Sequence, residues 1–85
     1  MDTDKVLEQQ TRKWLAKLEK EARGITPASS GVDPAKTRNS IANVHAYIKD
    51  ARHFMEKGDF VRSFEAVIYA WGILETLQRL DLLKK

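Results

Sequence analysis

Arg38, His45 and Arg52 follow one another at intervals of seven, with Lys49 beside them, in a segment of helical apolar periodicity. Residues two turns apart share one line of a helix. Such an edge offers guanidinium and ammonium donors to an anion, and an imidazole among them can give and take a proton near neutral pH. The chemistry available is therefore anion binding or, one step further, phosphodiester cleavage with a histidine as general acid or base.

The run Arg38-Asn39-Ser40-Ile41-Ala42-Asn43-Val44-His45 resembles the arginine-and-histidine pattern of a helical ribonuclease superfamily whose members act in toxin systems and nucleic-acid defence. That resemblance implies His45 as general acid or base, Arg38 as the group that stabilises phosphate charge, and Asn39 as a polar neighbour. The competing reading has these cations snorkelling at the edge of a core, stems packed and heads in water. It needs no catalytic geometry, and we prefer it. Arg38, His45, Lys49 and Arg52 then form a candidate anion-binding edge, and no catalytic residue is assigned.

Other chemistries find no residues to work with. Cysteine is absent, which excludes disulfides, thiolate nucleophiles and cysteine-based metal sites. His45 and His53 stand eight apart without a carboxylate to complete a ligand set, so no metal is expected. Gly24, Gly31, Gly58 and Gly72 are scattered, and none opens a helix after a strand as a phosphate loop would. No cofactor or small-molecule substrate is expected. Glu65, Glu75, Asp50 and Glu56 read as solvated surface carboxylates.

The elements that carry these residues are helices. The chain of 85 residues has room for one domain. Its first helix is expected over about 4–23, with Leu7, Thr11, Trp14 and Leu18 as a stripe that Leu15 and Ala22 broaden. Glu8 with Arg12, and Glu19 with Arg23, are acid-before-base pairs on its polar side. From Gly24 to Asp33 turn formers dominate and a loop is expected. Asp33-Pro34 then reads as a cap followed by proline in the first helical position. A second helix over about 34–57 buries Thr37, Ile41, Val44, Ile48, Ala51 and Met55, widened by Tyr47 and Phe54.

At Lys57-Gly58-Asp59-Phe60 a glycine able to turn left-handed precedes an aspartate able to cap. The chain reverses there into a third helix over about 60–82, with Phe60, Phe64, Val67, Trp71 and Leu74 as its main seam and Val61 and Ile68 on the flanks. The fold class is all-α, an up-down-up three-helix bundle with long helices. No apolar run reaches the length that crosses a bilayer, and no secretory signal opens the chain, so a cytoplasmic location is expected.

The third helix carries more apolar surface than one seam requires. Ala66, Tyr69, Ala70, Ile73, Leu77 and Leu80 form a second stripe. Either the helix is wedged between two others, which we prefer, or Tyr69, Ile73 and Leu80 form a surface for a protein partner or self-association. Gly72, inside the helix, suggests a close crossing by a bulky neighbour such as Trp14 or Tyr47. A net charge of +3 also permits a nucleic-acid partner. Lys13, Lys17 and Lys20 share a face of the first helix near Arg12 and Arg23, but Glu8, Glu19 and Glu21 interrupt it.

Tyr47-Ile48-Lys49-Asp50-Ala51-Arg52-His53-Phe54, the Lys57-Gly58-Asp59-Phe60 turn, Ser63-Phe64-Glu65-Ala66, Tyr69-Ala70-Trp71-Gly72 and Leu74-Glu75-Thr76-Leu77 together resemble a family of small archaeal helical proteins catalogued as a domain of unknown function. The resemblance implies a compact helical domain and carries no activity, ligand or site residue. The function expected is that of a non-enzymatic interaction or scaffold module. A nucleic-acid-associated protein is the alternative, with a ribonuclease-like use of Arg38 and His45 behind it.

Overall fold

Two aspartates start two of the helices. The Asp33 carboxylate accepts the Lys36 amide N–H at 3.1 Å, and Pro34 sits at the head of α2 (Pro34–Glu56), where its missing N–H costs nothing. The Asp59 carboxylate accepts the Arg62 amide at 3.1 Å and starts α3 (Phe60–Arg79). Before them runs α1 (Thr3–Ala22). The computed structural model describes residues 3–29 and 33–85; Met1 and Asp2, and Ser30, Gly31 and Val32 of the expected loop, lie outside the described residues. The helices begin and end within a residue of their expected bounds, except that α3 stops at Arg79 and not at 82.

Both ends of the α2–α3 hairpin close in the same way. After α2, Gly58 adopts φ 76°, its N–H bonds the Met55 carbonyl at 3.1 Å, and the Asp59 N–H bonds the Phe54 carbonyl at 2.9 Å. This paired termination needs a left-handed residue, which glycine supplies without strain. After α3 the pattern repeats with an aspartate in the glycine's place. Asp81 has φ 54°, its N–H bonds the Gln78 carbonyl at 3.1 Å, and the Leu82 N–H bonds the Leu77 carbonyl at 3.0 Å. Without a glycine to mark it, this stop is hidden in the sequence.

The tail that follows returns to α1. Within the expected loop Thr26–Pro27 forms a short strand, β1, which pairs antiparallel with Leu83–Lys84, β2, in the register Thr26 with Lys84 and Pro27 with Leu83. The Ala28 N–H adds a bond to the Leu82 carbonyl at 2.8 Å. The Lys85 ammonium reaches the Lys20 carbonyl at 3.0 Å and the Glu21 carbonyl at 3.4 Å, where unpaired carbonyls at a helix C-terminus favour a cation. This pairing puts the C-terminal ends of α1 and α3 at the same end of the molecule, and the Gly58 turn sets α2 antiparallel to α3. Among the described residues the fold is thus an all-α up-down-up bundle with one two-residue ladder.

All six expected core positions of α2, from Thr37 to Met55, are buried. On α1 the buried set is Thr11, Leu15, Leu18 and Ala22; Trp14, expected in the seam, is 40% exposed. On α3 the seam is turned from its expected position. Ser63, Ala66, Val67, Ala70, Leu74 and Leu77 are buried, while Phe60, Phe64 and Trp71 are half-buried. Small side chains at the helix contact let the backbones approach, and the large aromatics cover the margins. The Ser63 hydroxyl uses that closeness to donate to the Ala51 carbonyl at 2.7 Å. The buried Thr11 and Thr37 hydroxyls donate one turn back, to Leu7 at 2.7 Å and Asp33 at 3.1 Å.

Candidate functional site

The basic edge of α2 divides. His45, Lys49 and Arg52 line a groove between α1 and α2 together with Arg23 and Glu19; Arg38 is exposed nearer the start of α2 and does not line it. Arg52 is bound by Glu19, Nη2 to Oε2 at 2.6 Å and Nε to Oε1 at 3.4 Å. The expected pairing of Glu19 with Arg23 is replaced by this one, because α1 lays Glu19 against α2. Donating this hydrogen bond to Glu19, aided by the carboxylate's charge and opposed by desolvation, raises the Arg52 pKa above its ordinary value. One of the four cations is therefore already matched by a carboxylate in the same groove. Arg38, which the ribonuclease resemblance pairs with His45, does not line this groove with it.

The basic stripe of α1 is organised around an aromatic ring. The Lys17 ammonium lies 4.6 Å from the Trp14 ring centroid and that of Lys13 5.9 Å. Arg12 is held by Glu8 at 2.9 Å, as the four-residue spacing predicts. Trp14 meets Trp71 edge to face, with centroids 6.2 Å apart at 87°, and the Trp71 indole N–H donates to the Trp14 carbonyl at 3.2 Å. The two rings, with Ile68, Gly72 and Glu75, border a groove between α1 and α3.

On the outward side of α3 Val61, Ile68, Tyr69 and Leu80 are exposed, at 63%, 53%, 58% and 62%. Of the expected surface, Tyr69 and Leu80 face solvent, Tyr69 with its ring 5.6 Å from that of Tyr47. Ile73 is half-buried against the core. Sequence reasoning gave Val61 and Ile68 to the flanks of a buried seam. The signal that places them outside is the small-residue side of the helix: Ser63, Ala66 and Ala70 mark the tight contact, and at 100° per residue Val61 and Ile68 fall opposite it.

Gly72 lies at the middle of that outward line. It is exposed, and a Cβ added there would meet nothing within 4 Å. The expected crossing by Trp14 or Tyr47 does not occur, since both rings lie to the sides of α3. Glu65 and Arg79 flank Gly72 at equal distances along the same line, and among the described residues neither has an ion-pair partner. Among the described residues no three His, Asp or Glu side chains gather to hold a metal, and no helix is long and apolar enough to cross a membrane.

The comparisons agree with this architecture. The chain belongs to the family of proteins of unknown function DUF357, which matches residues 13–83. The crystal structure of a protein of the same family from Archaeoglobus fulgidus is similar at a TM-score of 0.81 and 33% sequence identity, over 99% of each chain. No curated protein matches. The family resemblance read from the Gly58-Asp59 turn and the Tyr69-Ala70-Trp71-Gly72 segment is thus established: the chain is a small helical member of a family of unknown function with an archaeal relative.

Proposed function

We propose that this chain is a non-enzymatic interaction module that meets another protein through the outward face of α3. The observation that carries this reading is the exposure of Val61, Ile68, Tyr69 and Leu80 along one helix whose opposite side already completes the core. Single exposed apolar side chains are ordinary on a monomer. Three on the outward side of α3 and one at its C-terminal cap, beside the Trp14–Trp71 groove, offer apolar surface of the kind that partners cover. The match of Arg52 with Glu19 supports a structural role for the basic edge over an anion site. The reading keeps the expected cytoplasmic location, where a chain without cysteine is indifferent to the reducing environment.

The test is recovery of tagged chain from its own cells. A specific protein should come down with the wild type and with Lys49→Glu and be lost with Ile68→Glu; recovery undiminished by Ile68→Glu would refute the reading. For a non-enzyme, wild type and His45→Ala should behave alike in a ribonuclease assay. One observation favours a second reading, nucleic-acid association: Trp14 is exposed with Lys13 and Lys17 against its ring, an arrangement that suits bases and phosphates together. Retention on RNA that falls with salt and is lost in Lys17→Glu would favour it. Absence of retention at low salt removes it.

A further inference from the structure

The outward line of α3 is complementary to itself. Val61, Glu65, Ile68, Gly72, Thr76 and Arg79 follow one another at four, three, four, four and three, so they lie within about 40° of a single line along the helix. Gly72 stands at its centre with open space above it. Glu65 lies seven residues before that centre and Arg79 seven after.

We propose that the occupant of this face is a second copy of the same chain, α3 against α3, antiparallel, crossing at Gly72. This rests on the reading of that face as an interaction surface and names its partner. A two-fold axis at the crossing brings each residue opposite the one equally far on the other side of Gly72. Glu65 of each copy then faces Arg79 of the other, so the charge pair forms twice. Ile68 of one copy and Thr76 of the other fill the interval between the crossing and each pair. In the parallel arrangement Glu65 would face Glu65 and Arg79 would face Arg79, which disfavours it. Helices ordinarily pack with axes about 8–10 Å apart; a glycine on each side of the crossing permits the close end of that range. This also accounts for a glycine that costs about 1 kcal/mol relative to alanine and whose space no neighbour within the chain uses.

Sedimentation equilibrium at low salt, up to several hundred micromolar, tests the arrangement. The wild type should reach twice the mass of the chain. Glu65→Arg and Arg79→Glu should each remain monomeric, because each places like charges opposite one another twice. Mixed in equal amounts the two variants should dimerise, since both pairs between unlike partners are again opposite in sign. Gly72→Ala should weaken the dimer at least about tenfold while raising the melting temperature of the dilute monomer. Circular dichroism checks that every variant is folded. A wild type monomeric throughout, single variants that still dimerise, or a mixture that stays monomeric each overturns the proposal. If the wild type is monomeric yet loses a recovered protein on Ile68→Glu, the dimer alone fails and the interaction reading stands.

Discussion

Two glycines frame what a single residue contributes here. Gly58 holds φ 76° between α2 and α3, a conformation that costs an L-residue about 1–2 kcal/mol. Gly72 lies in regular helix, where alanine is favoured by about 1 kcal/mol. Urea denaturation of the dilute protein should therefore move in opposite directions: Gly58→Ala less stable by about 1–2 kcal/mol, Gly72→Ala more stable by about 1. A destabilising Gly72→Ala would mean that some neighbour does need the space. The first of these roles is legible in the Lys57-Gly58-Asp59-Phe60 string, because a turn is settled by its own few residues. The second is not, since the space above a helical glycine depends on where other helices lie. At Arg52 the raised pKa means that its contribution is present below the unfolded value and lost only as pH rises through the folded one. Stability should not change through neutral pH on its account.

At the scale of elements, the C-terminal tail ties two helix ends together. Leu82 and Leu83 pack against the core, β2 pairs with β1, and Lys85 reaches the last carbonyls of α1. Removing residues 82–85 should cost about 1–3 kcal/mol, from the two half-buried leucines. The measurement is urea denaturation with amide exchange at Ala28, whose N–H loses its partner Leu82; unchanged protection there would contradict the tie. The starts of α2 and α3 are legible from Asp33-Pro34 and Asp59, as caps act within one turn. The end of α3 is not, because aspartate marks a left-handed stop far less often than glycine. The strand at Thr26–Pro27 carries no periodicity of its own and exists only because Leu83–Lys84 comes alongside.

Taken whole, the molecule measures 48 × 18 × 16 Å. Arg12 and Leu15 line one groove with Met55 and Glu56 beside the Gly58 turn, so the start of α1 runs on past the hairpin along the long axis. The rotation of α3 against α2 and α1 decides which of its sides is closed. Val67 is 1% exposed and its neighbour Ile68 53%. Val67→Glu should unfold the domain, as burying an unpaired charge costs several kcal/mol. Ile68→Glu should change its stability by no more than about 0.5 kcal/mol, with thermal melts followed by circular dichroism as the readout. Equal effects would contradict this rotation. By itself the sequence determines three helices, two of their starts, the Gly58 reversal and the whole buried stripe of α2, because capping and periodicity act within a few neighbouring residues. The exposure of Trp14, the choice of Arg52 over Arg23 by Glu19, the open Gly72 and the outward line from Val61 to Arg79 are decided by tertiary structure alone. They follow from the rotation and offset of helices distant in sequence, which the packing of all three settles together.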